Sequence, residues 1–200
     1  MLVLHDNLGS GNAYKVRLLL SHLGRPFRRI EYDVTKGETR TPEFLALNPD
    51  GRIPLLQFSD GRTLAQSNAI LFYLAQGTDY LPGDSFAQAK VLQWMFFEQY
   101  SHEPFIAVAR YWLHFLDQRE GLEEKWRRGY QALDVMETHL CAAAFLVGGT
   151  YSIADIALYA YTHVAHEAEM DLAPYPGIRR WLDRVAEQPG HALITQEEFS

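Results

Sequence analysis

The sequence predicts two successive domains of different class: an α/β domain over residues 1–77 with element order βαβ, α, ββα, and an all-α domain over residues 85–200, with residues 78–84 as linker. Three observations carry this. Strand, helix and strand patterns alternate through the first 34 residues; a proline-led hairpin feeds a helix at Gln66-Ser67; and after Gly77 no strand pattern recurs while helical spacing continues to the end.

Residues 2–5 read as a short apolar strand, followed by the turn-forming run Asp6-Asn7-Leu8-Gly9-Ser10-Gly11-Asn12. From Ala13, apolar residues recur at Val16, Leu20 and Leu23 with helical spacing, and Gly24 supplies the stop. Residues 27–34, after Pro26, read as a second strand, so the first two strands are expected to be parallel with a right-handed crossover. Thr41-Pro42-Glu43 opens a short helix, and Asn48-Pro49-Asp50-Gly51 signals a turn. Leu55 to Phe58 and Arg62 to Ala65 flank Asp60-Gly61 as a hairpin, and Gln66-Ser67 begins the third helix. In the second domain helices are expected at 85–100, 105–118, 122–143, 153–169 and 176–187, with Pro104, Gly121 and Gly148-Gly149 as breakers. Ser152-Ile153-Ala154-Asp155 reads as a capping box with Asp in the acidic position, a structural motif and not a chemical one.

Apolar content of 48% with 22% charged residues is that of an ordinary globular protein of 200 residues. A net charge of −7 argues against nucleic acid, whose phosphates need a basic face. The N-terminus has no charged region leading into an apolar run, and no stretch approaches the roughly 20 apolar residues that span a bilayer, so a cytoplasmic location is expected. Cys141 is the only cysteine, which excludes internal disulfides and cysteine metal clusters; any thiol chemistry needs a thiol brought by a ligand. No metal site is expected: His163 and His166, three apart on a helix, lack acidic partners at suitable spacing.

The most informative stretch lies between Arg52 and Ile70. Pro54 cannot donate to a sheet ladder and belongs at the start of a strand, which leaves the backbone of Ile53 available to pair with an extended peptide as another strand would. Thirteen residues beyond Pro54, Ser67 opens a helix whose hydroxyl and unpaired N–H groups suit a carboxylate. A peptide clamp and a carboxylate cradle therefore sit side by side.

Four segments together resemble the soluble, two-domain glutathione transferase family: Ser10-Gly11-Asn12-Ala13-Tyr14-Lys15-Val16-Arg17, Asn48-Pro49-Asp50-Gly51-Arg52-Ile53-Pro54, Gln66-Ser67-Asn68-Ala69-Ile70, and the cap at 152–155. The resemblance runs from residue 2 to residue 187 and implies a thioredoxin-like first domain, an all-helical second domain, glutathione as co-substrate, and a homodimer. It also implies that the Ile53 backbone beside Pro54 pairs with the cysteinyl part of glutathione, and that Gln66 and Ser67 hold the γ-glutamyl end. Gln66 departs from the commoner Glu, so an amide faces the ligand's ammonium. Arg52 and Lys36 are candidates for the glycyl carboxylate, the alternative for each being a solvated surface cation.

Ser10 stands where serine-type members place the residue that faces the glutathione sulfur, with Asn12 as a second donor; the alternative for both is a helix cap. Tyr14 is read as packing, because tyrosine-type members place that residue at the end of the first strand. The electrophile site is expected between the domains, with Tyr100 and Arg110 as its polarising residues, and its occupant is a small hydrophobic electrophile or a peroxide. The implied activity is that of a glutathione S-transferase, the chemistry of detoxification: a thiolate attacking an electrophile, or glutathione-dependent reduction of peroxides and disulfides. Two alternatives stand beside it, a cis-trans isomerase of the zeta type and a non-catalytic binding or regulatory module. For the dimer, Met95, Phe96 and Phe97 give the helix at 85–100 more apolar surface than one packing face requires, though a fully buried helix would read the same.

Overall fold

The structure is a computed structural model and describes residues 1–197. The chain divides into two compact units, one made of residues 1–76 with the segment from Pro189 onward, the other of Gly77–Gln188.

In the first unit, β1 (Leu2–Asp6), β2 (Phe27–Glu31), β3 (Leu55–Gln57) and β4 (Thr63–Ala65) form one mixed sheet in the order β2-β1-β3-β4. β1 and β2 are parallel, joined through α1 (Gly11–His22); β3 is antiparallel to both its neighbours, with Leu55 opposite His5 on one side and Ala65 on the other. Side chains alternate across a strand. Asp6 thus turns toward α1, where Arg17 receives it, while His5 turns to the other face, where Phe44 of α2 (Pro42–Leu47) stands edge-on at 5.8 Å. Helix α1 packs beside α3 (Ser67–Leu74), so the sheet is covered on both faces and Leu4, Val16, Leu20, Leu56 and Ile70 are fully buried. The βαβ, α, ββα order is the one expected.

The tail departs from expectation. The sequence assigns residues 189–200 to the helical domain, and the last three of these lie outside the described residues. Residues 189–197 are non-helical and group with the first unit, strapped along α1 by side chains that donate to their carbonyls. Tyr14 Oη donates to Ala192 O at 2.7 Å, Ser21 Oγ to Gly190 O at 2.8 Å and Arg17 Nη2 to Ile194 O at 3.0 Å. Tyr14 is thereby a buried packing residue, as read from the sequence.

The second unit is helical: α4 (Ser85–Phe97), α5 (Glu103–Leu116), α6 (Leu122–Leu140), α7 (Ile153–Thr162) and α8 (Pro176–Ala186). The expected linker, 78–84, packs within it, since Tyr80 O accepts from Ile153 N at 3.0 Å and Leu81 is buried. Pro104 does not break the chain of helices. A π-helical turn, Glu98–His102, carries α4 into α5, and Pro104 falls in the first turn of α5, where its missing N–H leaves no bond unmade. Conversely α7 ends at Thr162, seven residues early. Thr162 Oγ1 donates to Leu158 O at 2.7 Å and His163 Nδ1 to Tyr159 O at 2.8 Å, competing with the helix ladder for those carbonyls. No helix among the described residues is long and apolar enough to cross a membrane.

Candidate functional site

The N-terminus of α1 is set by Ser10. Its backbone is extended and its Oγ accepts from Ala13 N at 3.3 Å, a side-chain N-cap. The loop before it is anchored on both sides. Arg17 Nη2 donates to Leu8 O at 2.8 Å, Leu8 N donates to Glu31 Oε1 at 2.7 Å, and Asn7 Nδ2 donates to Tyr32 O at 2.9 Å. Because Ser10 uses a lone pair to cap the helix, its hydroxyl proton remains for another acceptor, and no such acceptor occurs among the described residues.

The N-terminus of α3 is set by Gln66, which holds φ 70° and ψ 113°, a region seldom occupied by a residue with a side chain. This backbone aims the first turn of α3, and buried Ser67 directs its Oγ to Asn12 Oδ1 at 3.3 Å. Two candidates 55 positions apart in sequence are thus brought into contact. Asn12 Oδ1 also accepts from Lys15 Nζ at 2.8 Å, and Lys15 is fully buried. Sequence reasoning misses Lys15. Its only signal was a cation one turn beyond Asn12, within the run Ser10 to Arg17.

The Ile53–Pro54 peptide is cis. Asn48 Nδ2 donates to Arg52 O at 2.8 Å and so orients the chain just before it, while the amide and carbonyl of Ile53 make no hydrogen bond among the described residues. Two positions beyond the Leu55↔Ala65 pair, past the ends of both strands, lie Ile53 on one side and Ser67, the first residue of α3, on the other. An open backbone edge, a helix N-terminus and a second helix N-terminus linked to the first through Asn12 therefore converge within the first unit.

The remaining candidates are placed otherwise. Arg52 and Lys36 are surface cations with side chains 74% exposed, paired with Asp50 at 3.6 Å and Asp33 at 2.9 Å. The Asp33 carboxylate raises the Lys36 ammonium's pKa, and Asp33 itself is held down to about 2, chiefly by the Thr35 hydroxyl. Tyr100, 85% exposed, borders a hollow of about 190 Å³ lined by Phe97, Phe105, Arg128 and Val135. Arg110 does not line that hollow: it is buried and its Nε donates to Glu167 Oε2 at 2.6 Å. Tyr100 and Arg110, expected to polarise an electrophile, are thus placed apart, and the Arg110 guanidinium is held by the half-buried Glu167 carboxylate. Among the described residues no group of three or more His, Cys, Asp or Glu side chains is arranged to hold a metal ion.

The comparisons with known proteins bear on the family and the fold. Residues 2–76 match the model of the glutathione S-transferase N-terminal domain and residues 94–189 that of the C-terminal domain. The disulfide-bond oxidoreductase YfcG of Escherichia coli is 31% identical, over 92% of this chain and 90% of its own. A solved structure described as a possible glutathione S-transferase from Rhodopseudomonas palustris superposes with a TM-score of 0.96 at 46% identity, covering 100% of this chain and 92% of that one. Ure2p in complex with glutathione superposes at 0.85 with 25% identity, covering 94% and 90%. With both halves matched in order and the relatives aligned over nearly their full length, the chain belongs to the glutathione S-transferase family.

Proposed function

We propose that this protein binds glutathione along the Ile53 edge and activates its thiol at Ser10, for attack on a small hydrophobic electrophile or for glutathione-dependent reduction of peroxides and disulfides. The observation that carries the reading is the Ser10 hydroxyl, fixed as a helix cap with its proton still to donate, at the end of a helix joined through Asn12 to the N-terminus of α3. A thiol with an ordinary cysteine pKa of about 8.5 is mostly protonated at neutral pH, and the thiolate is the nucleophile. A charge-assisted hydrogen bond from Ser10 and the positive end of α1 both favour the anion. Each pH unit of depression corresponds to about 1.4 kcal/mol, so about two units make thiolate the dominant form at pH 7. The Ile53 amide and carbonyl receive the cysteinyl backbone, the N-terminus of α3 with Gln66 and Ser67 takes the γ-glutamyl end, and Arg52 or Lys36 takes the glycyl carboxylate by leaving its aspartate partner.

Ser10→Ala is expected to lower kcat/KM at least tenfold at pH 7 with the Kd for glutathione nearly unchanged, because the hydroxyl acts on the sulfur and the clamp lies elsewhere. Steady-state kinetics with a chloro-nitroaromatic, a hydroperoxide and a disulfide, beside calorimetric titration of glutathione, check this. Equal turnover by the variant and the parent between pH 6 and 8 would remove Ser10 from the mechanism.

The likeness to YfcG favours the disulfide arm. Cys141 is the only cysteine and lies at the end of α6, so two glutathione thiols carry the two electrons, leaving as oxidised glutathione while the substrate disulfide gains two protons and becomes two thiols. The likeness to Ure2, named a transcriptional regulator in Saccharomyces cerevisiae, supports a regulatory alternative; because Ure2p itself is seen with glutathione, binding of glutathione with no turnover of any of these substrates is the result that would favour it. A homodimer is supported by exposed Phe86, Phe96 and Tyr100, and by a hollow of about 460 Å³ between α4 and α6 lined by Trp94, Phe97, Val135 and His139. Sedimentation at micromolar concentration is expected to give the mass of two chains; the mass of one refutes the dimer. A reducing, glutathione-rich cytoplasm fits a chain with one free, exposed cysteine.

A further inference from the structure

We propose that Lys15 is the positioning residue of this site: through Asn12 it turns an amide N–H toward the glutathione sulfur and couples the thiol-activating end of α1 to the carboxylate-binding end of α3. The inference rests on the thiol-activation reading above and assigns a role to a residue outside the Ser10, Ile53, Gln66 and Ser67 set.

Lys15 is 0% exposed, on a helix that packs Tyr14, Val16 and Leu18 to the same extent. Burying an ammonium is unfavourable unless its protons are received, and Leu or Met would fill the volume with no such demand. One of those protons goes to Asn12 Oδ1, 2.8 Å away and one turn back on the same helix. This contact settles the amide's orientation on chemical grounds, since an ammonium only donates and must face the oxygen. The Nδ2 end of Asn12 therefore points away from Lys15.

Ser67 makes the geometry a coupling. Its hydroxyl donates to the same Oδ1, at a longer 3.3 Å. When a carboxylate arrives at the N-terminus of α3, that proton is drawn to the ligand, and Oδ1 loses a donor. Lys15 keeps it satisfied. Without the ammonium, Asn12 either holds Ser67 back from the ligand or rotates its oxygen toward the sulfur, where it opposes an anion. Loss of Lys15 is thus expected at the thiolate, two residues from the cap, more than in the packing of α1.

The test is the pH midpoint of bound glutathione thiol, read from thiolate ultraviolet absorbance in the wild type, Ser10→Ala, Lys15→Met, Lys15→Arg and Asn12→Ala, together with the pH profile of kcat/KM. Lys15→Met should raise the midpoint by about one pH unit, a roughly threefold loss of thiolate at pH 7 for a wild-type midpoint of about 6.5. KM for glutathione should rise less than kcat falls, and Lys15→Arg should restore most of the shift. A wild-type midpoint and profile in Lys15→Met overturns the proposal. If that variant does not accumulate as folded protein, Asn12→Ala decides: a midpoint raised about as far supports action through Asn12, and an unchanged one overturns it. The failures are distinguishable. A wild-type thiol that titrates as free glutathione does, or a Ser10→Ala midpoint equal to the wild type, removes the thiol-activation reading itself, whereas a shifted wild type with an unshifted Lys15→Met removes only this inference.

Discussion

Replacing Arg17 by Met should cost about 3–5 kcal/mol of stability, the loss typical of taking one partner from a buried ion pair. Arg17 and Asp6 are both fully buried, with Arg17 Nη1 2.6 and 2.8 Å from the two carboxylate oxygens. After the substitution Asp6 keeps only Arg29 Nε, at 2.6 Å, and a carboxylate taken out of water is left half-compensated. Leu8 O and Ile194 O lose a donor in the same step. In a protein whose total stability lies in the usual range of about 5–15 kcal/mol, this is a large fraction, and the thermal midpoint should fall by roughly 10 °C. A cycle of Asp6→Asn, Arg17→Met and the double variant isolates the pair, with the double expected to lose much less than the sum. Additive losses in urea unfolding would show that the two residues do not act as a unit.

The same variant has a consequence for chemistry. Arg17 fixes the carbonyl of Leu8, two residues before Ser10, and the tail at Ile194. Any activity lost by folded Arg17→Met should therefore appear as weaker orientation of the Ser10 loop, with the exposed backbone at Ile53 unaffected.

That network also marks the limit of what the sequence tells. The apolar spacing of Val16, Leu20 and Leu23 finds α1, but by the same logic Lys15 and Arg17 read as solvent-facing cations; they are buried because α1 lies under both the sheet and the tail. Arg17's partner Asp6 sits in a strand, where neither helical nor strand periodicity pairs it with a helix residue eleven positions on. The tail is bound through its own carbonyls, at Gly190, Ala192 and Ile194, so it carries no side-chain pattern from which its position could be read. By contrast Pro54 and Gln66-Ser67 were legible, since a missing N–H and a helix start are local properties of the chain. The hydrogen bond between Asn12 and Ser67 was not, because it depends on how α1 and α3 pack. Arg110 is a further case: an aromatic-rich helix suggests a ligand pocket, and only the fold brings Glu167 to the guanidinium.

Asp155→Ala should destabilise the second unit by about 4 kcal/mol or more. The carboxylate is fully buried and accepts four bonds: Leu146 N at 2.9 Å and Trp181 Nε1 at 2.9 Å on one oxygen, Ser152 N at 3.0 Å and Ser152 Oγ at 3.1 Å on the other. A capping box alone contributes about 0.5–2 kcal/mol. Here truncation also strands the Leu146 amide and the Trp181 indole, each a buried donor worth about 1–3 kcal/mol when left unpaired. Asp155→Asn separates shape from charge: its oxygen still serves Leu146 and Trp181, but its NH2 meets the donors of Ser152, so an intermediate loss is expected. The pH dependence has a definite sign. Burial, the largest influence, pushes the carboxyl up to about 6 from an ordinary 3.8, against the pull of its four donors. The folded chain therefore binds the proton more tightly than the unfolded one, and this contribution is complete below pH 3.8 and lost as pH rises through 6, by about 3 kcal/mol in all. Asp155→Asn does not titrate, so its stability deficit against the wild type, followed by urea unfolding at pH 4, 5, 6 and 7, should shrink as pH rises. A deficit that stays level or widens over that range would mean that the four donors outweigh burial and that Asp155 is ionised throughout.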